Sequence, residues 1–207
     1  MPLPPKVFVI DDEPTVVRVL ERLLTGAGFD VEGYTSADAF LVRPHYQGPA
    51  CVVVDQVMPG CTGLQLAEML PSDTAQVVFI SGQSSVDVAV QAMRSGAFDF
   101  LSKPLDLERL IGVVRHALVR SVSAVEAASA QRHVAVRWAA LTPREREVCL
   151  LMVRGLLNKQ IAAELGASEK TIKIHRARVY RKLEVTSVTE IARLIDLIQA
   201  RSNPRRH

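Results

Sequence analysis

The chain has 207 residues, 48% apolar and 23% charged, a balance that predicts a soluble globular protein and excludes wholesale disorder. Its net charge of +3 hides a split: residues 1–120 carry 9 Lys and Arg against 14 Asp and Glu, whereas residues 141–207 carry 14 against 7. That asymmetry predicts an acidic module joined to one that meets a polyanion, while the absence of any apolar run near ~18–20 residues excludes a membrane helix.

The first 120 residues alternate β-rich apolar runs with helical stretches. Strands are expected at 7–10, 31–34, 51–54, 77–80 and 98–101. The first, third and fourth are almost continuously apolar, as parallel strands buried on both faces require. Between them, Pro14 suits the first turn of a helix that Gly26 and Gly28 end, and Ser36 and Ser84 are candidate N-caps of the second and fourth helices. Five strand–helix repeats predict an α/β doubly wound (βα)5 sheet of flavodoxin-like arrangement over residues 1–120. Residues 121–140, rich in Ala and Ser, are expected to form a linker able to continue the fifth helix. Residues 141–199 are all-α by pattern, with helices at 142–154, 158–165, 168–183 and 187–199, in a domain expected to span 141–207. Thr142-Pro143-Arg144-Glu145 reads as a capping-box start, and Gly155 and Gly166 punctuate helix ends.

Ligands of a doubly wound sheet sit beyond the carboxyl ends of its strands. Asp11 and Asp12 end the first strand there, Asp55 the third and Ser81 the fourth, and Lys103 follows the fifth. Three crowded carboxylates repel one another unless a cation neutralises them, and a hard divalent ion with oxygen ligands, Mg²⁺, suits them. With a lysine and a hydroxyl nearby, the set is suited to phosphoryl transfer onto a carboxylate nucleophile. Cys51, Cys61 and Cys149 are odd in number and lack CxxC spacing, and the five histidines are scattered, so neither a disulfide framework nor a zinc site is expected. Together with a start that lacks a secretory leader, this predicts a reducing cytoplasm.

The set Asp11-Asp12, Asp55-Gln56-Val57-Met58-Pro59-Gly60, Ser81-Gly82 and Phe100-Leu101-Ser102-Lys103-Pro104 resembles the receiver domain of two-component response regulators. The resemblance implies that Asp55 is the phospho-acceptor and that Asp12, Asp55 and the Val57 backbone carbonyl hold Mg²⁺, with Asp11 assisting. It further implies that Ser81 and Phe100 are a switch pair and that Lys103 meets the phosphoryl oxygens, with Pro104 following in cis. Ser81 stands where threonine is commoner and Leu105 where an aromatic residue is common. Val57 and Gln83 occupy positions that tune phosphoryl lifetime, and apolar Val57 implies slow loss.

Residues 141–199 resemble the four-helix LuxR-type helix-turn-helix of FixJ/NarL regulators, through Leu141-Thr142-Pro143-Arg144-Glu145-Arg146-Glu147, Gly155-Leu156-Leu157-Asn158-Lys159-Gln160-Ile161-Ala162 and Ser168-Glu169-Lys170-Thr171-Ile172-Lys173-Ile174-His175. On a helical wheel, Ile172, Val179 and Leu183 share one face, with the stem of Arg176 at its edge. The opposite face carries Lys170, Lys173, Ile174, Ala177, Arg178 and Arg181, basic groups around a small apolar patch, as a major-groove helix requires. The resemblance implies that Lys173, Ile174 and Ala177 face bases, with Arg178 able to share that readout. Lys159, Lys170, Thr171, Arg181 and Lys182 are candidate phosphate contacts, and His175 is expected to pack and hydrogen-bond within the domain.

The implied function is transcription regulation. A sensor histidine kinase phosphorylates Asp55, two receivers pair through residues 86–101, and the dimer grips promoter DNA, with RNA polymerase as a further partner. The 55–63 stretch and Ala92-Met93-Arg94-Ser95-Gly96-Ala97-Phe98-Asp99-Phe100 are similar to FixJ-like regulators. The receiver would catalyse only its own phosphoryl transfer and dephosphorylation. Two rivals remain open. A haloacid-dehalogenase-like phosphatase would want an aspartate where Val57 sits, and a DNA-binding regulator could work independently of phosphorylation.

Overall fold

A computed structural model describes residues 3–70, 74–82, 90 and 92–202, without the side chains of 199–202. The chain divides into two compact units, Met1–Ala127 and Ala128–His207. Among the described residues no helix is long and apolar enough to cross a membrane.

In the first unit, strands β1 (Lys6–Ile10), β2 (Val31–Tyr34), β3 (Ala50–Asp55), β4 (Ala75–Ser81) and β5 (Asp99–Ser102) form one parallel sheet in the order β2-β1-β3-β4-β5. Side chains alternate between its faces because successive Cβ atoms of a strand point oppositely. Val7, Val9, Cys51, Val53, Val78 and Ile80 pack with helix α1 (Pro14–Gly26) and the start of α4 (Leu107–Ala139). Phe8, Ile10, Val52, Val54 and Phe79 pack with α2 (Ala37–Val42) and α3 (Gly63–Met69) on the other face. Ser36 caps α2 by accepting the Ala39 N–H, as its position predicts. The expected fourth helix, its N-cap Ser84, and Gln83 lie mostly outside the described residues, though Ala92 of that stretch reaches the core.

Helix α4 runs unbroken through residues 121–139, the Ala/Ser-rich stretch expected as a linker. Within that stretch Ser121 is fully buried in the first unit. Its hydroxyl accepts the Ala50 N–H at 2.8 Å and donates to the Thr74 carbonyl, pairing two backbone groups at the amino edge of the sheet.

The second unit packs α5 (Pro143–Val153), α6 (Asn158–Glu164), α7 (Glu169–Leu183) and α8 (Val188–Ser202) around Val148, Met152, Ile161, Ile172, Val179, Leu183 and Ile191. Thr142 opens α5 with the predicted capping box: its hydroxyl takes the Glu145 N–H and Glu145 takes the Thr142 N–H. Such a start stabilises a helix by about 1 kcal/mol. Trp138 and Leu141 pack into the same core.

Candidate functional site

The carboxyl edge of the sheet assembles a pocket around one ammonium. Lys103 Nζ lies 2.8 Å from Asp55 Oδ1 and 2.9 Å from Asp11 Oδ2, and both carboxylates are buried. Two backbone bonds set the loops that carry these groups: Gln56 N–H donates to the Ile80 carbonyl at 2.9 Å, and Lys103 N–H to the Ser81 carbonyl at 2.8 Å. The remaining carboxylate oxygens are held alike. Asp11 Oδ1 accepts the Glu13 N–H and Asp55 Oδ2 the Val57 N–H, each at 2.9 Å, the two-residue turn that a strand-end aspartate makes with its own backbone. Burial would lower the pKa of Lys103, but hydrogen bonds to Asp55 and Asp11 outweigh it and hold the ammonium above the ordinary lysine value.

Around this centre, Ser81 is buried at the end of β4, and Phe100 of β5 lies half-buried against the core face that holds Phe79. The Lys103–Pro104 peptide is cis. Val57 is exposed, above buried Met58. Asp12, next to Asp11, is exposed, and among the described residues no three of His, Cys, Asp or Glu are placed to hold a metal by side chains alone. Lys103 stands between Asp11 and Asp55. The donor chemistry nevertheless fits a hard divalent cation, because two buried carboxylates share one positive charge and every donor is oxygen.

Gly63 escaped the sequence reading. It is the first residue of α3, after the Thr62 cap, and a Cβ there would stand 2.4 Å from the Asp55 carbonyl oxygen. Glycine lets α3 abut the strand end that presents Asp55. A helix start eight residues after a strand-end aspartate was the available signal.

The second site is the outer face of α7. Ser168 caps this helix by accepting the Thr171 N–H at 3.1 Å. Ile172, Val179 and Leu183 are buried, as the wheel predicts, and Arg176 is half-buried at their edge. Lys170, Thr171, Lys173, Ile174, Ala177, Arg178 and Arg181 are exposed together, and Lys159 is exposed on α6. Lys182 leaves the expected phosphate-contact set: its ammonium is 2.6 Å from Glu145 Oε2 and donates to the Ala140 carbonyl at 2.9 Å. A cation spent on a buried carboxylate and a carbonyl is not free for phosphate. His175 packs half-buried as expected, but among the described residues its Nδ1 has no hydrogen-bond partner.

The comparisons with known proteins agree with this geometry. Residues 7–115 match the response regulator receiver domain, and residues 139–195 match the bacterial regulatory proteins of the luxR family. The chain is 40% identical to the transcriptional regulatory protein FixJ of Azorhizobium caulinodans, covering 94% of this chain and 93% of that one. It is 32% identical to the response regulator TodT of Pseudomonas putida, covering 93% and 86%. Among solved structures, the response regulator StyR superposes with a TM-score of 0.87 at 37% identity, covering 94% of this chain and 99% of that one. Full-length FixJ from B. japonicum gives 0.54 at 35%, covering 94% and 97%. The chain therefore belongs to the response regulators that join a receiver to a luxR-type DNA-binding domain, transcription regulators governed by phosphorylation rather than enzymes in the ordinary sense.

Proposed function

We propose that Asp55 is the phospho-acceptor, that a sensor histidine kinase supplies the phosphoryl group, and that the modification pairs two chains on promoter DNA. The observation that carries this reading is the shared ammonium: two buried carboxylates on one lysine leave negative charge uncompensated at the Asp55 side chain. An Asp55 oxygen attacks phosphorus as the P–N bond to the kinase histidine breaks, and the ring nitrogen keeps the electron pair. Lys103 then turns from Asp55 to the phosphoryl oxygens, the Ser81 hydroxyl donates to another, and the Phe100 ring turns inward behind it. Asp11, Asp12, Asp55 and the Val57 backbone carbonyl would hold Mg²⁺, which when bound supplies the positive charge that lets an anionic carboxylate meet an anionic phosphoryl group. Loss of the phosphoryl group to water is the receiver's own reaction. Exposed, apolar Val57 offers an incoming water no hydrogen bond, so that loss is slow.

The kinase would dock beside the pocket, where a cleft of about 340 Å³ lined by Val16, Val19, Leu20, Leu105 and Leu107 opens next to Lys103. Residues 86–101, a range that includes most of β5, would pair two receivers. Residues 141–207 would form the DNA-binding domain and 121–140 the connection to a receiver of residues 1–120. On DNA, Lys173, Ile174 and Ala177 would face base edges with Arg178 beside them, while Lys159, Lys170, Thr171 and Arg181 meet phosphates. RNA polymerase is the further partner, and the cytoplasm the compartment. Sedimentation of the full chain with acetyl phosphate and Mg²⁺ tests this reading: the wild type dimerises and D55N stays monomeric. Equal dimerisation of both would overturn it.

A further inference from the structure

Within the second unit, the last turn of α4 meets the last turn of α7. Both are helix C-termini, so two sets of orphan carbonyls, the negative poles of two helix dipoles, come together. Two cations answer them crosswise. Arg137 of α4 donates through Nη1 to the Leu183 carbonyl of α7 at 3.0 Å and lies 3.4 Å from Glu184 Oε2. Lys182 of α7 donates through Nζ to the Ala140 carbonyl, just past the end of α4. Buried Glu145 balances the lysine, and the same Oε2 accepts the Thr142 N–H at 2.9 Å, which ties the start of α5 into the junction. Glu184, the C-cap of α7, sits at φ 55° and ψ 47°. A left-handed residue other than glycine costs about 1 kcal/mol, and Arg137 holds this one.

These groups gather at one end of the helix whose other positions face DNA. From Leu183 to Lys173 the lever is about 15 Å, so a tilt of about 4° moves the base-facing side chains by about 1 Å. That displacement is enough to break the geometry of a hydrogen bond to a base edge. Phosphate contacts, made by long flexible side chains, tolerate it. We infer that Arg137 and Glu145 are positioning residues for base reading: acting through the terminal carbonyls and Lys182, they set the tilt of α7 without touching DNA. The inference rests on the DNA-reading role proposed for α7.

The test uses the full chain and a duplex that the wild type enriches from a random-sequence pool, with a scrambled duplex as reference. In R137A and E145Q the preference for the enriched duplex falls tenfold or more. Affinity for the scrambled duplex and the salt slope stay within twofold and within experimental error, and R137K, which keeps a donor for the Leu183 carbonyl, recovers most of the preference. R137A alters a partly exposed side chain and decides the matter even where E145Q fails to fold. An unchanged preference with only a lower melting temperature overturns the inference. So does an equal loss on both duplexes with the salt slope reduced by about one, the mark of a phosphate contact. If the wild type enriches no sequence, the DNA-reading proposal itself fails and this inference falls with it.

Discussion

Lys103 and Lys182 share the same chemistry in two different settings. Each side chain is about a quarter exposed, 27% and 28%, and each ammonium sits on a buried carboxylate within 3 Å. They differ in how the charge is balanced. Lys182 has one carboxylate, Glu145, whose other partner is a backbone N–H, and its own spare donor goes to a carbonyl. Around Lys182 the charge is closed: one ammonium meets one carboxylate, and the other bonds of both go to backbone groups. Lys103 has two carboxylates, Asp11 and Asp55, with exposed Asp12 next in the chain, so negative charge remains after both ion pairs are made. A balanced pair serves as a fastening, whereas an unbalanced one is poised to take a cation or an electrophile.

The largest effect is expected where the unbalanced lysine is removed. K103A leaves two buried carboxylates without their ammonium and should destabilise the receiver by about 2–3 kcal/mol, less than the ~3–5 kcal/mol of a fully buried broken pair because Lys103 is partly exposed. Added Mg²⁺ should raise the variant's melting temperature more than the wild type's; an equal rise would deny the charge excess.

Acid should act on the other junction. Burial alone would raise the Glu145 pKa, but hydrogen bonds from Lys182 and Thr142 lower it to about 2. A carboxyl held below its ordinary value stabilises the fold fully above pH ~4.5, and that contribution is lost as pH falls from there towards 2. Denaturant unfolding followed through Trp138, the single tryptophan and part of the second unit's core, should weaken by about 1–3 kcal/mol over that range. E145Q should be less stable at neutral pH and lack that acid limb. A neutral reference is Ser121: S121A leaves the Ala50 N–H and Thr74 carbonyl unpaired, for about 1–2 kcal/mol with no dependence on salt or Mg²⁺.

Much of this was legible because it follows local rules. The strands announce themselves as short apolar runs, and the groups at their ends must share one edge of a parallel sheet, so Asp11, Asp55, Ser81 and Lys103 could be gathered before any coordinates. The buried stripe of α7 follows from helical period. The pairing of Lys182 is not legible, because a wheel shows which way a side chain leaves its own helix and not that Glu145, 37 residues earlier, lies beside it. Ser121 sits in a stretch without an apolar stripe, and a small buried hydroxyl leaves no hydrophobic trace in sequence. The exposure of Asp12 beside buried Asp11 was not legible, because both lie past the last residue of β1, where strand alternation no longer assigns a side. Gly63 matters through a missing atom: its spacing from Asp55 marks a helix start, but the need for glycine there follows from the 2.4 Å approach to the Asp55 carbonyl.

The charge excess at Lys103 makes one claim that a single measurement can decide, namely which side chain takes the phosphoryl group. The full chain, treated with acetyl phosphate and Mg²⁺, is analysed by intact mass and by peptide mapping. One phosphoryl group on Asp55, absent from D55N and retained in K182A, is the predicted result. A phosphoryl group carried on another residue in the wild type, or undiminished in D55N, would contradict the account.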